Sequence, residues 1–181
     1  GDKGKTVLGR DTMPGAAFFP EARLNFAENL MKSTGPGDAL VFRAEDVVDR
    51  RMSHDDLHAL VSRLQQAMRA AGVGPGDRVA AMLPNMPEAV AAMLAAASIG
   101  AVWSSCSPDF GVRGVLDRFG QIEPKLFLAT DGYVYAGKRL DVTDKVAEIA
   151  AALPTTATVV IMPHTGDTAR TVASVPRAVA L

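Results

Sequence analysis

The sequence predicts an α/β fold, in which a largely parallel sheet is flanked by helices. Apolar runs at 78–83, 101–104, 125–129 and 158–162 have the length of buried strands. Helical patterns lie between them, and Gly or Pro marks most of the boundaries. Strands that alternate with helices pair in parallel through right-handed crossovers, so the whole series predicts one sheet.

The composition is that of a single globular domain. The chain has 181 residues, of which 48% are hydrophobic, and 19 basic against 20 acidic side chains leave a net charge of -1. This balance gives no reason to expect nucleic acid or a membrane as a partner. Cys106 is the single cysteine, and no Cys/His spacing indicates a metal site. We expect a cytoplasmic protein without a bound metal.

Three regions follow from the distribution of Gly, Pro and periodic segments. Residues 1–38 are expected to form an irregular segment that wraps the surface, with one short helix near 25–31. Residues 39–163 are expected to form an α/β subdomain that begins with a hairpin. Residues 164–181 are predicted to be an irregular tail.

The first long helix has a clear beginning and end. Ser53 is a good N-cap and Asp56 stands three residues later, as in a capping box. One apolar face runs from Leu57 to Ala71, and Gly72 supplies the stop.

The later helices follow the same alternation. The helix at 88–99 is apolar on nearly every side and is preceded by Pro87, which suits a first helical turn. We therefore expect it to lie between other layers. Further helices are predicted at 112–119 and 142–153.

Candidate binding loops follow three of the strands, because open α/β sheets bind ligands beyond the carboxyl ends of their strands. The loop at 83–87 is explained by turn and capping chemistry. The loop at 104–111 carries Ser107 and Asp109 among four polar residues, of which an N-cap accounts for one. A third loop spans 130–138.

This third loop has groups that suit a nucleotide or a phosphate. Tyr135 offers a stacking surface, Gly137 allows close backbone approach, and Lys138 brings positive charge. The same residues also fit an ordinary solvated turn with surface cations. From the residues alone, the solvated turn is the favoured interpretation.

Several motifs resemble a known family. They are Gly-Val-Gly-Pro-Gly-Asp-Arg-Val at 72–79, Leu-Pro-Asn at 83–85, Trp-Ser-Ser-Cys-Ser-Pro-Asp-Phe at 103–110 and Leu-Asp-Arg-Phe-Gly at 116–120. Together they resemble the early part of adenylate-forming acyl-CoA synthetases. The segment 103–110 is most similar to the acetoacetyl-CoA synthetase branch, and the likeness covers nearly the whole chain.

The resemblance implies a two-step ligase reaction. Such enzymes join a carboxylic acid, here acetoacetate, to ATP with Mg, which gives an acyl-adenylate and pyrophosphate. The thiol of coenzyme A then displaces AMP. ATP, acetoacetate and coenzyme A would be substrates, and no tightly bound cofactor is expected on this chain.

The resemblance also implies where coenzyme A lies. The loop corresponding to Ser107, Pro108 and Asp109 lies beside the pantetheine passage in related acetyl-CoA synthetases. The loop corresponding to Tyr135, Gly137 and Lys138 meets the nucleotide end. Those relatives carry two arginines where this chain has Tyr135 and Lys138, so the binding mode differs in detail.

The chain departs from the family in what it lacks. The phosphate-gripping motif ending in Gly-x-Pro-Lys, the ribose-binding acid and the adenylation lysine do not occur in it. We therefore expect an N-terminal fragment without catalytic residues or activity of its own, which self-associates through uncovered surface. The alternatives are a fragment of another short-chain acyl-CoA synthetase and a standalone, non-catalytic α/β binding module.

Overall fold

Strands and helices alternate along most of the chain. The structure is a computed structural model that describes residues 1–45 and 48–181. In chain order its elements are β1 (Leu8–Arg10), β2 (Ala17–Phe18), α1 (Phe26–Leu30), β3 (Asp38–Ala44), β4 (Val48–Ser53), α2 (His54–Ala70), β5 (Arg78–Met82), α3 (Pro87–Ser98), β6 (Val102–Cys106), α4 (Val112–Phe119), β7 (Leu126–Thr130), β8 (Gly132–Tyr135), β9 (Lys138–Asp141), α5 (Thr143–Ala152), β10 (Thr158–Met162), α6 (Thr168–Ser174) and β11 (Ala178–Ala180).

A parallel sheet of five strands forms the centre, in the order β11-β10-β7-β5-β6. Every neighbouring pair runs in parallel, with Ala81 of β5 opposite Leu128 of β7 on one side and opposite Ser105 of β6 on the other. The predicted fold class is therefore confirmed. The carboxyl ends of the sheet's strands point to one edge, where the loops after β5, β6 and β7 meet.

Helices cover both faces of this sheet. Side chains alternate along a strand, so Val79 and Ala81 of β5 pack in the core with α2 and α3. Ala80 and Met82 point to the opposite face and join the core with α4 and α5. Helix α3 is buried along much of its circumference, as its apolar sequence predicts, and its alanines allow close packing.

The capping signals are observed at the predicted residues. Ser53 Oγ accepts from the Asp56 N–H at 3.1 Å, and the Ser53 N–H donates to Asp56 Oδ2 at 3.4 Å, which completes the capping box of α2. Pro87 stands in the first turn of α3. The predicted short helix appears as α1, and the predicted hairpin as the antiparallel pair β3 and β4.

The irregular tail predicted at 164–181 is not what the structure has. Asp167 caps α6, because its Oδ1 accepts from the Arg170 N–H at 3.0 Å, and β11 then joins the edge of the sheet beside β10. Both elements are short, and β11 depends on pairing with a distant strand, which local sequence does not reveal. The division into three regions stays a prediction.

Two loop predictions also change. The segment 130–138 contains most of an antiparallel hairpin, β8 and β9, whose two-residue turn is Ala136 (φ 50°) and Gly137 (φ 71°). Strand β6 extends to Cys106, so Ser104 and Ser105 belong to the strand and not to the loop. At the chain's beginning, β1 and β2 form a small antiparallel pair.

Candidate functional site

A cavity of about 380 Å³ opens at the carboxyl ends of β5 and β6. Three segments surround it, namely the loop after β5, the loop after β6 and strand β8. Their contributing residues include Leu83, Pro84 and Asn85, then Ser107, Pro108 and Asp109, then Tyr133 and Tyr135. The volume lies within the range of about 300–1,000 Å³ that is usual for small-molecule sites.

The structure brings four of the six predicted site residues into this pocket: Ser107, Pro108, Asp109 and Tyr135 line it. Gly137 and Lys138 do not. They lie past its rim at the tip of the hairpin, where Lys138 pairs with Tyr135 across the turn. The candidate site therefore has two parts, a pocket and an adjoining hairpin tip.

The loop after β6 is held in shape by its own hydrogen bonds. Ser107 Oγ donates to Asp109 Oδ2 at 2.7 Å, and the Asp109 N–H donates to Ser107 Oγ at 3.3 Å. Lys145 Nζ of α5 donates to the Pro108 carbonyl at 2.7 Å. Helix α4 has Gly111 as its N-cap and no side-chain cap, so the expectation that one of the polar loop residues caps it is wrong.

Tyr133 of the hairpin lines the same pocket as this loop. Burial raises the pKa of its phenol, and the negative charge of the nearby Asp109 raises the pKa further. The phenol therefore remains protonated at neutral pH beside the Asp109 carboxylate. The sequence alone does not predict that Tyr133 lies beside Asp109. The i, i+2 spacing of Tyr133 and Tyr135 indicates only that both lie on one side of a strand.

Cys106 also lines the pocket, at the end of β6. Burial raises the pKa of its thiol to about 11, against the smaller opposing effects of the Arg118 and Lys145 charges. Because the thiolate is the nucleophilic form, a thiol with this pKa is unreactive at neutral pH. The structure thus favours the interpretation of Cys106 as an inert thiol.

The N–H groups at the hairpin tip bind a carboxylate from a distant part of the chain. The N–H groups of Ala136 and Gly137 donate to Glu45 Oε1 at 3.2 Å and Oε2 at 2.8 Å. Glu45 follows β3, more than ninety residues earlier in the chain. No local pattern in the sequence indicates this contact, because it depends on how the two hairpins approach one another.

A second carboxylate lies at the end of β7. Asp131 is 1% exposed, and its Oδ1 accepts from the N–H groups of His164, Thr165 and Gly166 at 3.0, 3.1 and 3.0 Å. Its Oδ2 accepts from Thr168 Oγ1 at 2.6 Å. Asp131 thus fastens the loop after β10 to the carboxyl edge of the sheet. The signal in the sequence is an acid directly after a buried strand, although this position alone does not reveal which N–H groups the acid accepts from.

Two further features are absent from the described residues. Across 1–45 and 48–181, no three His, Cys, Asp or Glu side chains gather as metal ligands. Within the same ranges, no helix is both long enough and apolar enough to span a membrane.

The sheet, its covered faces and the pocket at its carboxyl edge define an α/β domain of the class that binds small molecules at the strand ends. Comparison with known proteins gives the family: the chain belongs to the AMP-binding enzymes, whose family model matches residues 31–178. The resemblance inferred from the sequence motifs is therefore confirmed.

Individual relatives carry more specific names. An acetoacetyl-coenzyme A synthetase of Rhizobium meliloti is 64% identical over 165 residues, which are 91% of this chain and 25% of the relative. A malonamoyl-CoA synthetase of Penicillium aethiopicum is 40% identical over 170 residues, or 91% of this chain and 24% of the relative. The chain spans about a quarter of the length of the curated relatives it matches.

A solved structure shares the fold. The acetoacetyl-CoA synthetase from Streptomyces lividans superimposes with a TM-score of 0.86 at 43% identity, covering 96% of this chain and 27% of that one.

Proposed function

We propose that the protein acts as an ATP-dependent acid–thiol ligase that converts acetoacetate and coenzyme A to acetoacetyl-CoA through an acyl-adenylate. The proposed substrates are acetoacetate, coenzyme A and ATP, the last bound with Mg. The proposed location is the cytoplasm. The observation that carries this proposal is the 64% identity, over 91% of the chain, to a protein named acetoacetyl-coenzyme A synthetase.

The described residues would supply one side of the coenzyme A site. In this proposal Ser107, Pro108 and Asp109 lie along the pantetheine arm, which has both amide and apolar groups. The pocket suits such an arm, because apolar walls from Leu83 and Tyr133 stand beside the polar loop. Since hydrogen bonds already shape this loop, little conformational entropy would be lost when the arm binds.

The hairpin tip would meet the nucleotide end of coenzyme A. Tyr135 is 60% exposed and presents its ring at the rim of the pocket, where a base or ribose could pack against it. Gly137 leaves room above the backbone, since an added Cβ would meet nothing within 4 Å. Lys138 would contribute a point charge to a phosphate.

A ligase for another short acid is a second candidate function. The observation that favours it is the 40% identity to a malonamoyl-CoA synthetase, whose name gives a different acid. Both candidates use the same adenylation and thioester steps, so they differ only in the acid that is selected.

The experiment is an acid-dependent exchange of labelled pyrophosphate into ATP, with the protein expressed from its complete reading frame. We expect exchange with acetoacetate to exceed exchange with acetate, propionate, butyrate or malonamate, and no exchange when acid is omitted. A different preferred acid supports the second candidate, and no exchange with any acid supports a non-catalytic binding module.

The 181-residue chain alone provides a further test. We expect it to give no exchange, because it contains neither the phosphate-gripping motif nor the adenylation lysine that the family uses to stabilise the reaction. Exchange by the isolated chain would contradict this prediction.

A further inference from the structure

The tip of the hairpin formed by β8 and β9 has the features of an anion-binding site. Ala136 and Gly137 both have positive φ, at 50° and 71°, and their adjacent N–H groups donate to the same carboxylate. Adjacent backbone N–H groups that converge on one acceptor form a site that suits an oxyanion. Lys138 follows directly in the chain and adds positive charge.

The anion at this site belongs to the protein itself. Both carboxylate oxygens of Glu45 are engaged, one on each N–H, at 3.2 and 2.8 Å. Two oxygens of a phosphate group could accept the same pair of hydrogen bonds, since they present a similar acceptor spacing. Glu45 therefore stands where a phosphate ester would bind.

The contact is weak enough to be exchanged. Glu45 is exposed to solvent, and so are Ala136, Gly137 and Lys138. Exposed charged contacts are screened and contribute little stability. A phosphate ester and the Glu45 carboxylate cannot both occupy the two N–H groups, because each is negatively charged and each needs the same donors.

We propose that Glu45 competes with phosphate-ester ligands for the N–H groups of Ala136 and Gly137, and so sets the affinity of the hairpin tip for them. This inference rests on the proposed function, in which the tip meets the nucleotide end of coenzyme A. The proposal adds Glu45, which comes from a distant hairpin, to the residues that affect this site. The charged Glu45 carboxylate weakens phosphate binding, so removing its charge strengthens binding.

The test compares Glu45→Gln with the unaltered protein, both expressed from the complete reading frame. Titration calorimetry measures the binding of coenzyme A and of adenosine 3′,5′-bisphosphate, which carries phosphates without the pantetheine arm. We expect Glu45→Gln to lower the dissociation constant of both probes about threefold to fivefold, with a smaller difference at high salt.

Asp49→Asn is the matched control. Asp49 lies on β4 of the same hairpin as Glu45 and is also exposed, but its carboxylate pairs with Arg43 at 3.5 Å and makes no contact with the N–H groups of the tip. The variant removes the same charge from the same hairpin, and we expect it to leave both dissociation constants nearly unchanged. An equal gain in affinity from both variants would contradict a specific role for Glu45 and indicate a general charge effect.

The remaining outcomes are equally decisive. Unchanged or weaker binding by Glu45→Gln would overturn the proposal, and weaker binding with a lower unfolding temperature would identify Glu45 as a structural tie between the hairpins. The bisphosphate titration does not depend on the acid that the enzyme uses. Failure of acetoacetate-dependent pyrophosphate exchange therefore counts against the proposed function, whereas the titration judges Glu45 alone.

Discussion

Two regions at the carboxyl edge of the sheet use the same chemistry in different surroundings. At the end of β7, the buried Asp131 carboxylate accepts three backbone N–H groups and one hydroxyl. At the hairpin tip, the exposed Glu45 carboxylate accepts two backbone N–H groups. Both pair an acid with backbone donors from a distant segment of the chain.

Burial decides what each pairing does. Water cannot replace Asp131 easily, so removing the acid leaves donors without partners. Water or another anion can replace Glu45, so its contact is exchangeable. The comparison indicates that the first region holds the edge of the sheet together, while the contact in the second region can be exchanged.

The largest expected effect is on stability, from Asp131→Ala. The variant leaves three N–H groups and the Thr168 hydroxyl without their acceptor, and we expect it to cost about 2–4 kcal/mol in the free energy of unfolding. Glu45→Ala, at the exposed site, should change it by less than about 0.5 kcal/mol. Urea unfolding followed by circular dichroism measures both.

Asp131→Asn refines this test. Its amide oxygen retains an acceptor for the N–H groups but loses the charge, so we expect an intermediate loss of stability. Equal stability of the Asp131→Ala and Glu45→Ala variants would show that burial does not separate the two regions.

A smaller loss of stability is expected from Gly166→Ala. An added Cβ would clash with the backbone carbonyl oxygen of Asp131 and lie 2.7 Å from its carbonyl carbon. The loop would have to move away from β7, and we expect a cost of about 1–3 kcal/mol in the free energy of unfolding.

Gly137→Ala is not a suitable control, because the positive φ of Gly137 disfavours alanine by itself. Gly37→Ala is better, since its added Cβ would meet only a carbon of the His54 ring at 4.0 Å and its φ is not positive. If Gly166→Ala is no less stable than Gly37→Ala, the close fit of the loop after β10 contributes nothing to the free energy of unfolding.

The two regions also show what the sequence could predict. The parallel sheet and the capping box of α2 depend on local pattern, and both were predicted at nearly the correct residues. The loop with Ser107 and Asp109 was placed at the pocket, because the position of a loop at a strand end follows from the alternation of elements.

The contacts of Asp131 and Glu45 were not predicted, because each joins segments that are far apart in the chain. The same reason applies to β11, whose three residues become a strand only by pairing with β10. The hairpin of β8 and β9 was interpreted as a loop, since Ala136 is an unusual residue for a turn with positive φ. Long-range geometry set the contacts of Asp131 and Glu45 and the pairing of β11, whereas the hairpin of β8 and β9 was obscured by an untypical local turn residue.

The smallest expected effect concerns Lys138, and it tests whether the exposed region is a binding site at all. Lys138 flanks the turn whose N–H groups hold Glu45, and an exposed cation facing a phosphate contributes about 1 kcal/mol or less after screening. We therefore expect Lys138→Ala to raise the half-saturating concentration of coenzyme A several-fold in thioester formation, without changing acetoacetate-dependent pyrophosphate exchange. Lys138→Glu should have a larger effect that diminishes with salt.

Arg139→Ala is the matched control for Lys138→Ala. It removes one exposed cation from the adjacent position of β9, where the side chain points to the other face of the hairpin. If both variants weaken coenzyme A binding equally, the effect is one of overall charge. Equal losses in both half-reactions would indicate a folding defect, and an unchanged coenzyme A requirement in Lys138→Glu would identify the tip as an ordinary solvated turn. A phosphate-binding tip is distinguished from a surface hairpin only by a loss of activity that is confined to thioester formation and to the Lys138 variants. Such a loss requires the Lys138 charge to act at one place and in one step.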